Sequence, residues 1–155
     1  MEKLKDDQFF MDLALKEAQK AFKLDEVPVG CVVVRKGQVV AKAYNKKIKT
    51  NSALAHAELV ALGKAQKKLG DWHLNECTLY VTLEPCPMCA GACINCRVGK
   101  IVFGAYDPKA GCCSSLYNLP ADKRFNHRPE VVGGIKQNEC ANLLSSFFKS
   151  KRKEN

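Results

Sequence analysis

The sequence lacks any run of about 18 apolar residues, the length a membrane-crossing helix requires, so no transmembrane helix is expected. Its opening residues, Met-Glu-Lys-Leu-Lys-Asp-Asp, contain no apolar signal core and no small-residue cleavage site. The early acidic pair is equally foreign to an organellar transit peptide. A cytoplasmic location is therefore expected. No internal repeat and no long linker interrupts the 155 residues, which suits a single domain over 1–155 with one core. Acidic residues are in the minority, 16 against 25 bases, and the formal charge is +9. That balance fits a polyanionic partner such as nucleic acid, or equally a solvated basic surface.

Cysteine, by contrast, is abundant. The nine are Cys31, Cys77, Cys86, Cys89, Cys93, Cys96, Cys112, Cys113 and Cys140. An odd number without a secretion signal disfavours a disulfide framework and favours metal binding. Thiols outside a metal site then behave as small apolar side chains.

Phe9, Phe10, Leu13, Ala14, Ala18, Ala21 and Phe22 recur at helical spacing, which predicts an amphipathic helix over about 7–24. The β-branched run 27–34 reads as a buried strand. Lys36-Gly37 turns the chain, and 39–44 returns antiparallel. Further expected elements are a helix over 55–68 ended by Gly70, a strand over 78–83 and a short helix over 87–96. A strand over 100–105, irregular chain over 107–127, a short strand over 130–132 and a helix over 136–148 follow. The last helix carries Cys140, Leu143, Leu144, Phe147 and Phe148 on one face, and both phenylalanines are expected in the core. A polar basic tail covers 149–155. Strand–helix–strand units after a hairpin imply parallel pairing, hence a three-layer α/β/α domain with a mixed central sheet of about five strands.

Two short segments carry chemistry: His56-Ala57-Glu58 and Pro85-Cys86-Pro87-Met88-Cys89. Cys86 and Cys89 are three residues apart and share a face on a first helical turn. Pro87 suits the first helical position, and a helix N-terminus favours thiolates. With neutral His56, two thiolates balance Zn²⁺ and leave a fourth position for a water whose pKa zinc lowers to about 7. Residues two apart on a helix diverge by roughly 200°. His56 and Glu58 therefore meet at one metal only if His56 sits at the very start of its helix, with Glu58 a proton shuttle rather than a ligand.

Either half of this pattern alone is weak. A bare Cys-x-x-Cys also describes a redox pair or half of a structural zinc site. Together, about 30 residues apart with Pro before the first Cys, they form the signature of zinc nucleobase deaminases. The run Cys86, Cys89, Cys93, Cys96 superficially suggests a four-thiolate cluster. That is rejected because Cys93 falls about one turn beyond Cys89, away from the helix N-terminus. His73 and His127 have no ligand-like spacing and are treated as non-ligands. Cys112 and Cys113 in a loop form a candidate oxidisable patch.

These motifs resemble the bacterial tRNA-specific adenosine deaminase family, within the cytidine deaminase-like fold, over nearly the whole chain. The matching segments are Glu26-Val-Pro-Val-Gly30, Tyr44-Asn45, Ala55-His-Ala-Glu58 and Leu79 through Ala92. Val102-Phe-Gly-Ala105 with Asp107, and Asn126-His-Arg128, also match. The family's usual pattern lacks cysteines at the positions of Cys93 and Cys96. The resemblance implies conversion of the first anticodon adenosine of a tRNA to inosine, in a cytoplasmic homodimer with one zinc per subunit. It implies His56, Cys86 and Cys89 as zinc ligands and Glu58 as acid/base. Asn45 and the Ala57 backbone would read the flipped purine, with Pro28 and Val29 lining its pocket. Asp107 would lie where the anticodon stem-loop approaches. Lys149, Lys151, Arg152 and Lys153 are candidates for RNA backbone contacts.

Plainer readings stay open: Asn45 as a turn residue, Asp107 as a loop-starting Asp before Pro108, Pro28 and Val29 as strand entry, and the basic tail as disordered and solubilising. Ala90, Gly91 and Ala92 permit close helix approach in a dimer or in an ordinary core. Competing functions are deamination of a free base or nucleotide (cytosine, guanine or a pterin-like precursor) and an inactive module with structural zinc.

Overall fold

A computed structural model describes residues 4–154; Met1–Lys3 and Asn155, the last residue of the expected basic tail, lie outside them. Helix α1 covers Asp7–Lys23, and the Asp6 carboxylate accepts the Phe9 N–H at 2.9 Å to cap it. Strands β1 (Gly30–Arg35) and β2 (Gln38–Tyr44) form a hairpin in which Arg35 faces Gln38. Lys36 and Gly37 both take positive φ, 50° and 75°, as a two-residue turn between twisted strands requires. Then follow α2 (Lys47–Thr50), α3 (Ala57–Leu69), β3 (Cys77–Leu83), α4 (Pro87–Asn95), β4 (Lys100–Ala105), β5 (Glu130–Val132) and α5 (Gln137–Glu154).

The sheet order is β2-β1-β3-β4-β5; β1 runs antiparallel to β2 and β3, and β3, β4 and β5 are parallel. Alternation along the strands sorts side chains onto two faces. Val32, Val34, Tyr80 and Val102 pack with Phe10, Met11 and Ala14 of α1 and Cys140 of α5. Cys31, Val33, Leu79, Val81, Ile101 and Phe103 pack with Ala57, Ala61, Leu62 and Ala65 of α3 and Ala90 and Cys93 of α4. The result is the expected three-layer α/β/α architecture with five strands. Gly30 lets α1 approach β1: a Cβ there would lie 2.0 Å from the Ala14 carbonyl oxygen.

The structure departs from the sequence reading at several points. Strand β1 begins at Gly30 rather than Val27, because Pro28 has no N–H for a ladder and Val29 N–H turns back to the Val27 carbonyl. The short helix α2 was not anticipated. It exists because the buried Glu26 carboxylate accepts the N–H groups of Ile48 and Lys49. Residues 107–127 include a 3-10 turn at Leu119–Ala121. Helix α5 continues through Glu154, so the basic tail is not a polar coil. Lys, Arg and Glu are good helix formers, and no Gly or Pro stops them. Phe148, expected in the core, is 45% exposed, whereas Phe147 is buried. Cys112 and Cys113 are both buried, not an accessible oxidisable patch. All nine cysteines are free thiols. No helix among the described residues is long and apolar enough to cross a membrane.

Candidate active site

The sheet brings four chain segments to one end: the start of β1, the loop after β2, and the loops leaving β3 and β4. Helices α3 and α4 begin there. His56 is the residue before α3, with extended φ −71° and ψ 148°. Its side chain therefore escapes the helical phase of Glu58, two residues on, and both reach the same cavity. Cys86 stands in the same relation to α4, φ −72° and ψ 176°, with Pro87 first in the helix. One turn later Cys89 comes alongside it.

The ligand-type atoms of His56, Cys86 and Cys89 lie within 4.8 Å of one another, and this trio is the metal-capable cluster among the described residues. His56 Nδ1 is 3.6 Å from Cys86 Sγ and 3.5 Å from Cys89 Sγ. Zinc bonded tetrahedrally, about 2.3 Å from sulfur and about 2.0–2.1 Å from nitrogen, sets those atoms about 3.6 Å apart. The donor set and its spacing fit zinc. The Cys89 thiol, despite the opposing cost of burial, holds Cys86 down at about 4, with His56 acting in the same sense. Cys89 itself is pushed well up as the donor to Cys86. Contact with Cys86 raises His56. Three donors sharing protons in this way release them when a divalent cation binds.

Burial raises the Glu58 carboxyl to about 7, opposed by its own backbone N–H and by His56. Glu58 is 4% exposed and faces a cavity of about 430 Å³. Val29, Asn45, His56, Cys86 and Asp107 also line this cavity. Pro28 is buried but does not line it. Asn45 Oδ1 accepts the Ala57 N–H at 2.8 Å, so that N–H is already committed, and Ala57 is fully buried. Asp107 Oδ1 accepts the N–H groups of Lys109 and Ala110, the loop-starting geometry its sequence allowed. Lys151 reaches the cavity, whereas Lys149 and Arg152 are exposed on α5 away from its lining.

Two buried carboxylates escaped sequence reasoning. Glu26 organises α2 and lines the cavity. Glu84 accepts the N–H groups of Asp107, Cys113 and Ser115 and the Ser115 hydroxyl, fixing the loop opposite α3. An acid ending a β-branched strand directly before Pro85-Cys86 is the one available signal for Glu84. His127 Nε2 lies 2.6 Å from the Val98 carbonyl oxygen and His73 pairs with Asp71, so neither joins the cluster. Cys93 is fully buried behind Cys89, and Cys96 accepts a hydrogen bond from Gln66.

A carboxyl held near neutrality beside a three-donor metal cradle suits hydrolytic removal of an amine from a heteroaromatic ring. Similarity to known proteins leads to the same class: the chain belongs to the MafB19-like deaminase family, whose model matches residues 5–152. Within that class it aligns with the tRNA-specific adenosine deaminases. It is 50% identical over 148 residues to the Bacillus subtilis protein of that name, covering 96% of this chain and 92% of the relative. A solved structure from studies of A-to-I editing by tRNA:A34 deaminases at the wobble position is similar at TM-score 0.83 and 40% identity, over 86% of this chain and 97% of that one. A guanine deaminase from Bacillus subtilis is a more distant likeness, at TM-score 0.62 and 34% identity over 65% of each chain.

Proposed function

We propose that this protein converts adenosine to inosine at the first anticodon position of a tRNA, using one zinc ion per chain held by His56, Cys86 and Cys89. The observation that carries the reading is the zinc-like spacing of Nδ1 and both sulfurs, with buried Glu58 on the same cavity. Bound zinc supplies a water activated for attack at neutral pH.

The chain's own residues handle the base and the protons. Asn45 spends its oxygen on Ala57 and keeps its amide N–H donors for an acceptor nitrogen of the purine. Val29 supplies an apolar wall. Glu58 takes a proton from the attacking water and delivers it to ring N1 as oxygen adds at C6. It then takes the proton of the new C6 hydroxyl and passes it to the exocyclic amine; the C6–N bond breaks as C6=O forms, and ammonia leaves with hypoxanthine remaining on the ribose. Water and adenine are consumed and no redox partner is needed. A carboxyl near neutrality suits both directions of transfer.

A base stacked in its helix cannot present C6 to Glu58 inside the cavity, so the nucleotide must be flipped out, which costs least in a loop. Asp107 and Lys151 line the cavity, which supports an approach of the anticodon stem-loop from their side. Lys149 and Arg152, one helical turn or less from Lys151, are available to neighbouring phosphates. A homodimer is proposed across α4, whose Gly91 leaves room for close approach. A cytoplasmic location follows from a tRNA substrate.

Incubating the protein with an anticodon stem-loop containing adenosine, and separately with free adenosine, guanine and cytosine, tests the reading. Inosine in the RNA alone is expected. Conversion of a free base alone overturns it.

A further inference from the structure

We propose that Asp25 and Lys151 form a phosphate-reading latch at the mouth of the base cavity: Asp25 holds the Lys151 ammonium until an RNA phosphate replaces the carboxylate. The inference rests on the RNA-deaminase reading above.

Lys151 lies on α5, within the segment whose sequence suggested a polar tail. Its ammonium pairs with the Asp25 carboxylate, and Glu154 is a second acid at 3.5 Å. The ammonium lies 5.7 Å from the centre of the Phe147 ring. Phe147 in turn meets Phe22 of α1 edge-on at 5.6 Å. These ring contacts fix where the Lys151 stem leaves the helix, while its flexible chain leaves the charge free to swing. Asp25 stands in the turn after α1, at φ 64°, a left-handed conformation that Asp and Asn tolerate. Both residues line the cavity that holds Glu58 and Asn45.

The pair is poorly suited to a purely structural task. Its side chains are 66% and 32% exposed, and an ion pair this accessible contributes little to folding. Weakness is what an exchangeable partner requires. A phosphodiester, like the Asp25 carboxylate, shares one negative charge between two acceptor oxygens, so the ammonium loses little by changing partners and gains a contact to the substrate. Until then Asp25 keeps the cation aimed at the cavity mouth. Asp25 is thus a positioning residue that competes with the substrate, and Lys151 is the group that touches it.

Competition predicts an inverted pattern in steady-state kinetics with an adenosine-containing anticodon stem-loop. Asp25→Asn keeps the backbone conformation and frees the ammonium, so KM should fall about threefold. Lys151→Gln should raise KM about fivefold. The double variant should match Lys151→Gln alone, because without the ammonium there is nothing for Asp25 to withhold. A structural buttress gives a higher KM in both single variants and overturns the latch. A threefold fall that persists in the Lys151→Gln background reports general charge repulsion and also overturns it. In either case inosine formation by the unaltered protein leaves the RNA-deaminase reading intact. If the unaltered protein makes no inosine in the stem-loop, that reading and the latch fall together.

Discussion

The side-chain oxygen of Asn45 accepts the backbone N–H of Ala57 at 2.8 Å, across the loop that joins β2 to α3. The first N–H groups of a helix have no partner within it. His56, the residue that would ordinarily cap α3, makes no side-chain cap and turns its ring toward the sulfurs instead. Asn45 therefore does from a distance what His56 has given up, and the imidazole is left free to face the two sulfurs.

This division of labour separates two roles of Asn45 by experiment. Asn45→Ala should lose about 1 kcal/mol of stability, the worth of a helix cap, along with most activity. Asn45→Asp keeps the accepting oxygen but has no amide donor. It should unfold at a denaturant concentration close to that of the unaltered protein, yet show a raised KM. An Asn45→Ala protein with an unchanged unfolding midpoint contradicts the capping role.

Glu58→Gln preserves shape and removes proton transfer. Turnover should fall by about 10²–10⁴-fold, the usual contribution of general acid/base action. Zinc content, measured by elemental analysis, should remain one per chain, since Glu58 is outside the ligand trio. Retention of even a third of normal turnover rejects the assignment.

The gathering of His56, Cys86 and Cys89 at one point and the layer architecture were legible because each is tightly constrained. Zinc accepts few side-chain types, and Pro87 with a three-residue cysteine spacing identifies a helix start. The core helices and strands carry strong periodicity. What was illegible depends on partners distant in sequence. Glu26 and Glu84 look like any other acid until the chain brings N–H donors to them from 22 to 31 residues away. The end of α5 was misplaced because apolar periodicity stops at Phe148, while helix propensity carries on through Glu154 with no Gly or Pro to stop it. Phe147 was placed correctly in the interior, but its presence in the cavity wall depends on how α5 docks against α1.

Treatment with a strong chelator at pH 7 should abolish deamination, and added zinc should restore it. Cys86→Ser or Cys89→Ser should leave well under one zinc per chain. Cys93→Ala and Cys96→Ala should retain it, because Cys93 lies behind Cys89 in the core and Cys96 bonds Gln66. Loss of zinc from either alanine variant would restore the four-thiolate alternative.

Glu84 offers a test of how the wall opposite α3 is held. Burial raises its carboxyl, but the Ser115 hydroxyl and the N–H groups of Asp107, Ser115 and Cys113 more than offset this and hold it below the ordinary value of 4.5. A carboxyl depressed on folding gives its full stabilisation above the unfolded value, and that stabilisation is lost as pH falls through the folded one. Glu84→Gln turns an amide N–H₂ toward those donors and should cost about 3 kcal/mol at pH 7. The gap between variant and unaltered protein should narrow on the acid side of about pH 4, as Glu84 itself becomes protonated. Urea unfolding at pH 7 and at about pH 3 reads both quantities. A gap that stays constant across that range means that the ionised form is not what secures the loop.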